Sequence, residues 1–197
     1  MFKFLRNLLR LLLKPKRPKR RSRRGFVRPN PTSLESFGYQ PPAVIENSLR
    51  SLLADLLEHL SPQQRERIID ATIAAWHQNP DANVALEEGI HGDSGQERGQ
   101  WVMLEVDHSA TDEVEWQAQE LAATHGITDQ YIWSWEDHAD ADVCDALSAF
   151  EDWLQPRGLT FLHFDCSSDS FAGFVVRISK QSQVLQLAHE AGVSLRE

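Results

Sequence analysis

The chain is poor in cysteine and has no long apolar run. Cys144 and Cys166 are its only two cysteines, which excludes a disulfide framework and a zinc site built on paired cysteines. Nothing in the composition demands an oxidising compartment. The longest uninterrupted apolar run near the N-terminus is Leu11-Leu12-Leu13, far short of the ~20 residues that span a bilayer. Arg6 and Arg10 break the leucines and a polybasic run follows them. A cleavable secretory signal, with roughly 7–15 apolar residues before a small-residue cleavage site, is therefore not expected. Acidic residues are missing from one region altogether, since none precedes Glu35.

That missing sign divides the molecule. Twelve of the 20 Lys and Arg residues lie in the first 28 positions, an arm of charge +12. Positions 29–197 keep eight basic and all 29 acidic residues, a net charge of −21, so the overall −9 conceals two bodies of opposite sign. Wound as a helix at 100° per residue, the arm places Lys3, Arg6, Arg10 and Lys14 on one stripe and Phe4, Leu5, Leu8, Leu9, Leu11 and Leu12 on the other side. This is the pattern of an interfacial helix, with an apolar face at the acyl boundary and cations at the headgroups. Lys16, Arg17, Lys19, Arg20, Arg21, Arg23 and Arg24 follow, interrupted by prolines. Mutual repulsion keeps such a segment extended. Near an anionic leaflet each cation contributes on the order of 1 kcal/mol, and a shallow helix with a polybasic patch supplies the two signals that stable anchoring needs. The expected location is the cytoplasmic face of a membrane, with anionic lipid as the arm's partner.

The same cations would release counterions from nucleic-acid phosphates. However, Phe2, Phe4 and Phe26 are not interleaved through the basic cluster, as a base-stacking surface requires. A solvated charge run, an organelle transit peptide and a nuclear address are further readings of the arm. The arm is also able to fold back on the acidic body, where an anionic surface would compete for it. Comparing its NMR shifts in the full chain and in a separate peptide tests that idea.

The body is long enough to bury a core. Residues 29–42 form a linker with Pro29, Pro31, Pro41 and Pro42, and 43–197 a single acidic domain. From Val44 to Leu60, Ile45, Leu49, Leu52, Leu53, Leu56, Leu57 and Leu60 recur at helical spacing. Ser61, Pro62 and Gln64 open a second helix as N-cap, first position and capping-box partner, with Ile68, Ile69, Ile73 and Trp76 as its buried face. A weaker helix over Asp81 to Glu88 leads into a glycine-rich loop, Gly89 to Gly99. The period then changes. Strands are expected at Trp101–Asp107, Tyr131–Glu136, Leu159–Cys166 and Phe171–Ser179, and helices at Thr111–His125, Asp140–Leu154 and Gln181–Ala191. Asp107-His108 recurs as Asp137-His138, each pair after a strand and before an acid-opened helix. The fold class is thus α/β in the mixed α+β sense. A helical hairpin precedes β-α-β-α-β-β-α, with a small, mainly parallel sheet made mixed by its last hairpin.

Chemistry-bearing residues collect at the expected C-terminal strand ends: Asp107, His108, Glu136, Asp137, His138 and Asp165. Ligands of open α/β sheets bind outside such ends. Asp107, His108, Asp137, His138 and Asp165 are therefore the candidate ligands of a metal-assisted hydrolase, and a Mn or Zn shift of the melting temperature lost in His138→Ala is its test. Caps and turns account for the same residues, and the helix dipole accounts for Asp112, Glu113, Asp140 and Asp142. Gly92-Asp93-Ser94-Gly95 resembles the nucleophile segment of chymotrypsin-like proteases, but the surrounding pattern is helical, so it reads as a polar loop. Cys166 with Ser167, Ser168 and Asp169 reads as a hairpin turn, since His163 points to the opposite strand face and a −21 body offers no electropositive setting for a thiolate. Cys144 is expected as a small core residue. Trp133 and Trp135 share a strand face with Tyr131, covered by helices or left as an aromatic contact patch.

The segments Trp133-Ser134-Trp135-Glu136-Asp137 and Leu159-Thr160-Phe161-Leu162-His163-Phe164-Asp165, the latter followed by Ser168-Asp169-Ser170-Phe171, resemble a small uncharacterised bacterial domain family, a domain of unknown function. The resemblance covers roughly residues 45–192 and omits the basic arm. It implies an intracellular domain in which binding is favoured over catalysis. The function expected from the whole is a non-enzymatic binding or regulatory domain without a cofactor, tethered by its arm. Its acidic surface, through Glu136, Asp137, Asp140 and Asp142, contacts a basic protein partner. A metal-assisted hydrolase and a nucleic-acid-tethered accessory protein are the alternatives.

Overall fold

The structure, a computed structural model, describes residues 41–92, 95–133, 141–166 and 169–197. The arm and the linker up to residue 40 lie outside these residues, as do Glu136, Asp137, His138 and Asp140. Six α-helices and four strands are present among the described residues.

Helix α1 (Pro42–Leu56) starts on a proline and buries Leu49, Leu52, Leu53 and Leu56 along one stripe. Helix α2 (Pro62–Gln78) opens as expected. Ser61 Oγ accepts from Gln64 N–H at 3.4 Å and donates to Gln64 Oε1 at 2.8 Å, and Ile68, Ile69, Ile73 and Trp76 are buried. Helix α3 (Ala82–His91) is capped by Asp81, which accepts from Asn83 and Val84 N–H. It continues through Gly89, where the sequence reads as the start of a loop. Gly89 is a packing residue: a Cβ there would lie 1.9 Å from Thr72 Oγ1 and 2.7 Å from Thr72 Cα. The absent side chain lets α3 seat directly on α2.

Strand β1 (Leu104–Asp107) is shorter than the expected Trp101–Asp107. The amide of Gln96 takes the backbone ahead of it, with Oε1 accepting from Val102 and Met103 N–H at 2.8 and 2.9 Å and Nε2 donating to Met103 C=O at 2.6 Å. Helix α4 (Thr111–Thr124) and helix α5 (Val143–Leu154) follow. A 3₁₀ turn at Gln155–Arg157 leads to β2 (Leu159–Phe164), which forms a hairpin with β3 (Ser170–Arg177). Helix α6 (Gln181–Ala191) stops at Gly192, whose φ of 75° suits a residue without Cβ. A two-residue strand, β4 (Leu195–Arg196), was not foreseen.

The sheet corrects the expected topology. Its order is β1-β3-β2-β4 and every neighbouring pair is antiparallel, not mainly parallel. The parallel expectation depended on a strand at Tyr131–Glu136 lying between β1 and β2. Residues 131–133 are not in the sheet, and 134–136 lie outside the described residues. Strand β3 occupies the position between β1 and β2, with Leu104 opposite Gly173 and Phe161 opposite Val175. Strands β1 and β2 still run in the same direction, as a β-α-β-α-β reading requires, but they do not touch.

Alternation along the strands builds two cores. Leu162, Phe164, Phe174 and Val176 face α1, α2, α3 and α6. Leu104, Val106, Phe161 and Val175 face α4 and α5, with Phe150 and Leu121. The result is a three-layer α/β/α body. Lys180 joins α1 to the end of β3 through Asp55 at 2.9 Å and Glu58 at 2.6 Å, and Arg177 adds a bond to Glu58 at 2.9 Å.

Candidate functional site

Helix α4 is the most polar element in contact with the second core, and its side chains bind other segments' backbone. Gln117, only 4% exposed, accepts from Glu105 N–H at 2.9 Å and donates to Glu105 C=O at 2.7 Å. Glu120 accepts from Gly99 N–H at 3.2 Å, and Thr124 Oγ1 donates to Trp101 C=O at 3.0 Å. On the other flank, Gln119 accepts from Tyr131 N–H at 2.7 Å and donates to Asp129 C=O at 3.4 Å. Glu115 accepts from Trp133 N–H at 3.2 Å. Residues 129, 131 and 133 are alternate positions of the chain, and Glu115 and Gln119 are one helical turn apart. Tyr131 is buried and Ile132 exposed, but residues 131–133 do not form the expected strand. The segment's partner is a helix face instead of a sheet.

A groove of about 340 Å³ runs between α4 and this segment, lined by Asp112, Glu115, Trp116, Gln119, Gln130 and Tyr131. Trp116 is 40% exposed and packs against Trp101 in a T-shaped contact at 5.2 Å. Ile132, on the same segment as Tyr131, is 67% exposed. The floor is fixed by Tyr131, whose hydroxyl donates to Ala146 C=O at 2.8 Å. Burial, then the charge of Glu115, raises the Tyr131 pKa well above its usual value, so the phenol stays neutral. Beyond the groove, Arg157 shows how this layer treats a cation. Its guanidinium sits 3.9 Å above the Trp153 ring and bonds Asp129 at 3.0 Å.

The residues singled out from sequence fall in different places. Asp142 caps α5 in a reciprocal capping box with Asp145, both bonds at 3.1 Å. Asp107 accepts from Ser109 N–H at 2.9 Å and Ser109 Oγ at 2.6 Å, and lies 3.2 Å from His108 Nδ1. The Ser109 bonds, ahead of His108, lower its pKa. The sheet order does bring Asp107, His108 and Asp165 to one end of the sheet, on either side of the first residues of β3. Among the described residues, no three His, Cys, Asp or Glu side chains gather as metal ligands. Asp137 and His138 lie outside them, as do Lys3, Phe4, Leu5, Arg6 and the rest of the proposed membrane-binding arm. Cys166 is buried, with its thiol against Ser170 C=O at 3.3 Å in the hairpin. Cys144 is exposed, not a core residue. Its position is the second of α5, and the buried stripe of that helix passes through Val143, Ala146, Leu147, Phe150 and Leu154 instead.

Two features had no signal in the sequence. His59, after α1, and His125, at the end of α4, bring their rings to 4.0 Å. Their pKa values fall to about 4 and about 3, first through burial and, for His125, next through the neighbouring His59. Such a pair is visible only once both layers are assembled. On the opposite sheet face, His91 Nε2 lies 2.8 Å from Glu105 Oε2. That bond lowers the Glu105 pKa, while burial followed by the Glu105 charge raises that of Glu87.

Residues 52–197 match a family model described as Domain of unknown function (DUF6630). No curated protein and no solved structure matches the chain.

Proposed function

We propose, for a chain that belongs to the DUF6630 family, a non-enzymatic binding or regulatory role. In this reading, residues 1–24 hold the protein peripherally at the cytoplasmic face of an anionic membrane and the acidic body meets a basic protein partner. The observation that carries the reading is the segregation of charge, +12 up to residue 28 and −21 after it. Single-sign fields of that size steer encounters with surfaces of opposite sign and repel those of like sign. Among the described residues no helix is long and apolar enough to cross a membrane. Binding is favoured over hydrolysis by the work that Asp107 already does in a turn.

Vesicle co-sedimentation of the full-length protein tests the tether. Anionic vesicles are expected to pellet it and neutral ones not. Replacing Leu5, Leu8, Leu9 and Leu12 by Gln, or Lys16, Arg17, Lys19, Arg20 and Arg21 by Gln, is expected to release it, at on the order of 1 kcal/mol per cation. Failure of the unaltered protein to pellet with anionic lipid overturns the tether. Binding to DNA without lipid, falling steeply with salt, would replace it with a nucleic-acid attachment.

A further inference from the structure

We infer that the groove between α4 and residues 129–133 is the docking site for an arginine-bearing segment of a basic protein partner. The inference rests on the reading of the acidic body as a binding domain and gives that binding a place and a chemistry. Three observations lead to it. No lysine or arginine occurs between Arg98 and Arg157, an interval with fourteen Asp and Glu residues. Seven of these acids stand on α4 and α5, so that layer attracts cations. Within it, the groove sets the carboxylates of Asp112 and Glu115 beside the Trp116 ring, which is 40% exposed and backed by Trp101. The third observation is Arg157, which stacks on Trp153 and bonds Asp129 at the end of the same segment. The groove offers the same pair of groups, a partly exposed indole and a carboxylate, to an incoming guanidinium.

Arginine is the residue this pair selects. A guanidinium is planar, weakly hydrated and forked, so it stacks on an indole and bonds a carboxylate at once, whereas a lysine ammonium is a hydrated point charge. The walls are fixed in advance. Glu115 and Gln119 are held by the backbone of Trp133 and Tyr131, which reduces the ordering cost of binding.

The test is calorimetric titration of the full-length protein with deca-arginine and deca-lysine at low ionic strength. Deca-arginine is expected to bind several-fold more tightly. The double variant Asp112→Asn/Glu115→Gln keeps side-chain volume and one acceptor oxygen on each residue, and is expected to weaken deca-arginine about tenfold. Trp116→Ala is expected to act similarly, and Trp116→Phe less, by the usual size of an anchor residue's effect. Glu66→Gln/Asp70→Asn, which removes the same charge from α2 in the opposite layer, is expected to change little. If deca-arginine binds but this control weakens it as much as the groove variants, or deca-lysine binds equally well, the groove is not the site and general acidic binding remains. If the unaltered protein binds neither peptide, the inference and the basic-partner reading both fall.

Discussion

The side-chain amide of Gln117 satisfies both the N–H and the C=O of Glu105, in the middle of edge strand β1. An amide has the donor and acceptor of a peptide group, so Gln117 stands where a further strand would pair. Gln96 does the same for Val102 and Met103 just upstream. Exposed edges invite strand addition and aggregation, and here two glutamines close one of them without lengthening the sheet. Gln117→Ala is expected to destabilise the fold by about 1–3 kcal/mol, the cost of leaving buried polar groups unpaired. It is also expected to promote association through the opened edge. Urea unfolding and size-exclusion chromatography at rising concentration check both; unchanged stability would mean that water replaces the amide fully.

Gly89 permits the contact between α2 and α3. Gly89→Ala gains helix propensity of up to ~1 kcal/mol but places a methyl 1.9 Å from Thr72 Oγ1. Overpacking of this kind costs about 1–3 kcal/mol, so net destabilisation is expected. Adding Thr72→Ala removes the hydroxyl but leaves the backbone Cα 2.7 Å from the new methyl, so rescue should be partial. Thermal unfolding of the two single variants and the double gives the answer.

The stacked histidines predict acid sensitivity. Both are neutral in the folded protein down to about pH 4 and about pH 3, whereas an unfolded imidazole takes a proton below about 6.5. Between those limits the unfolded chain binds more protons, so stability falls as pH falls. The contribution is complete above about pH 7, declines through the window from about 6.5 to 4, and levels off near 3. Neighbouring charges do not reverse the sign: Glu58 favours protonation of both rings and Arg177 opposes it at His125, but burial outweighs them. His59→Phe keeps an aromatic ring at the stack. Its stability relative to the unaltered protein should rise as pH drops from 7 to 4, read by urea midpoints at each pH.

Much of this organisation was legible in the residues, and the reasons for the failures are specific. Leu49 to Leu56, the Ser61 cap and the hairpin of β2 and β3 follow from local periodicity and turn chemistry, although the first helix stops at Leu56 and not at the expected Leu60. The sheet direction did not, because it hung on Tyr131–Glu136. That segment's alternation correctly separates buried Tyr131 from exposed Ile132. But period 2 reports an extended chain with one buried side, not what its backbone bonds to, and a helix's Glu115 and Gln119 took the place of a strand. Trp116 was missed for a similar reason. It lies on a helix whose first-turn acids Asp112 and Glu113 read as dipole partners, and only the packing of 129–133 beside Asp112, Glu115 and Trp116 makes a groove. The His59–His125 pair, 66 positions apart in sequence, carries no local pattern at all.

Asp142 allows one of the sequence expectations to be separated into two chemistries. As an N-cap it needs an acceptor, not a charge: its Oδ1 accepts from Asp145 N–H while Asp145 accepts from its own N–H. Asp142→Ala is expected to cost about 1 kcal/mol through loss of the cap, and Asp142→Asn to restore most of it. A residue that binds a basic partner through its charge behaves differently, since Asn would be as damaging as Ala to that binding. Melting temperatures of the two variants measure the first property, and titration with deca-arginine measures the second. Because Asp142 is committed to the cap and lies outside the Trp116 groove, stability is expected to separate the variants while peptide affinity changes little in either.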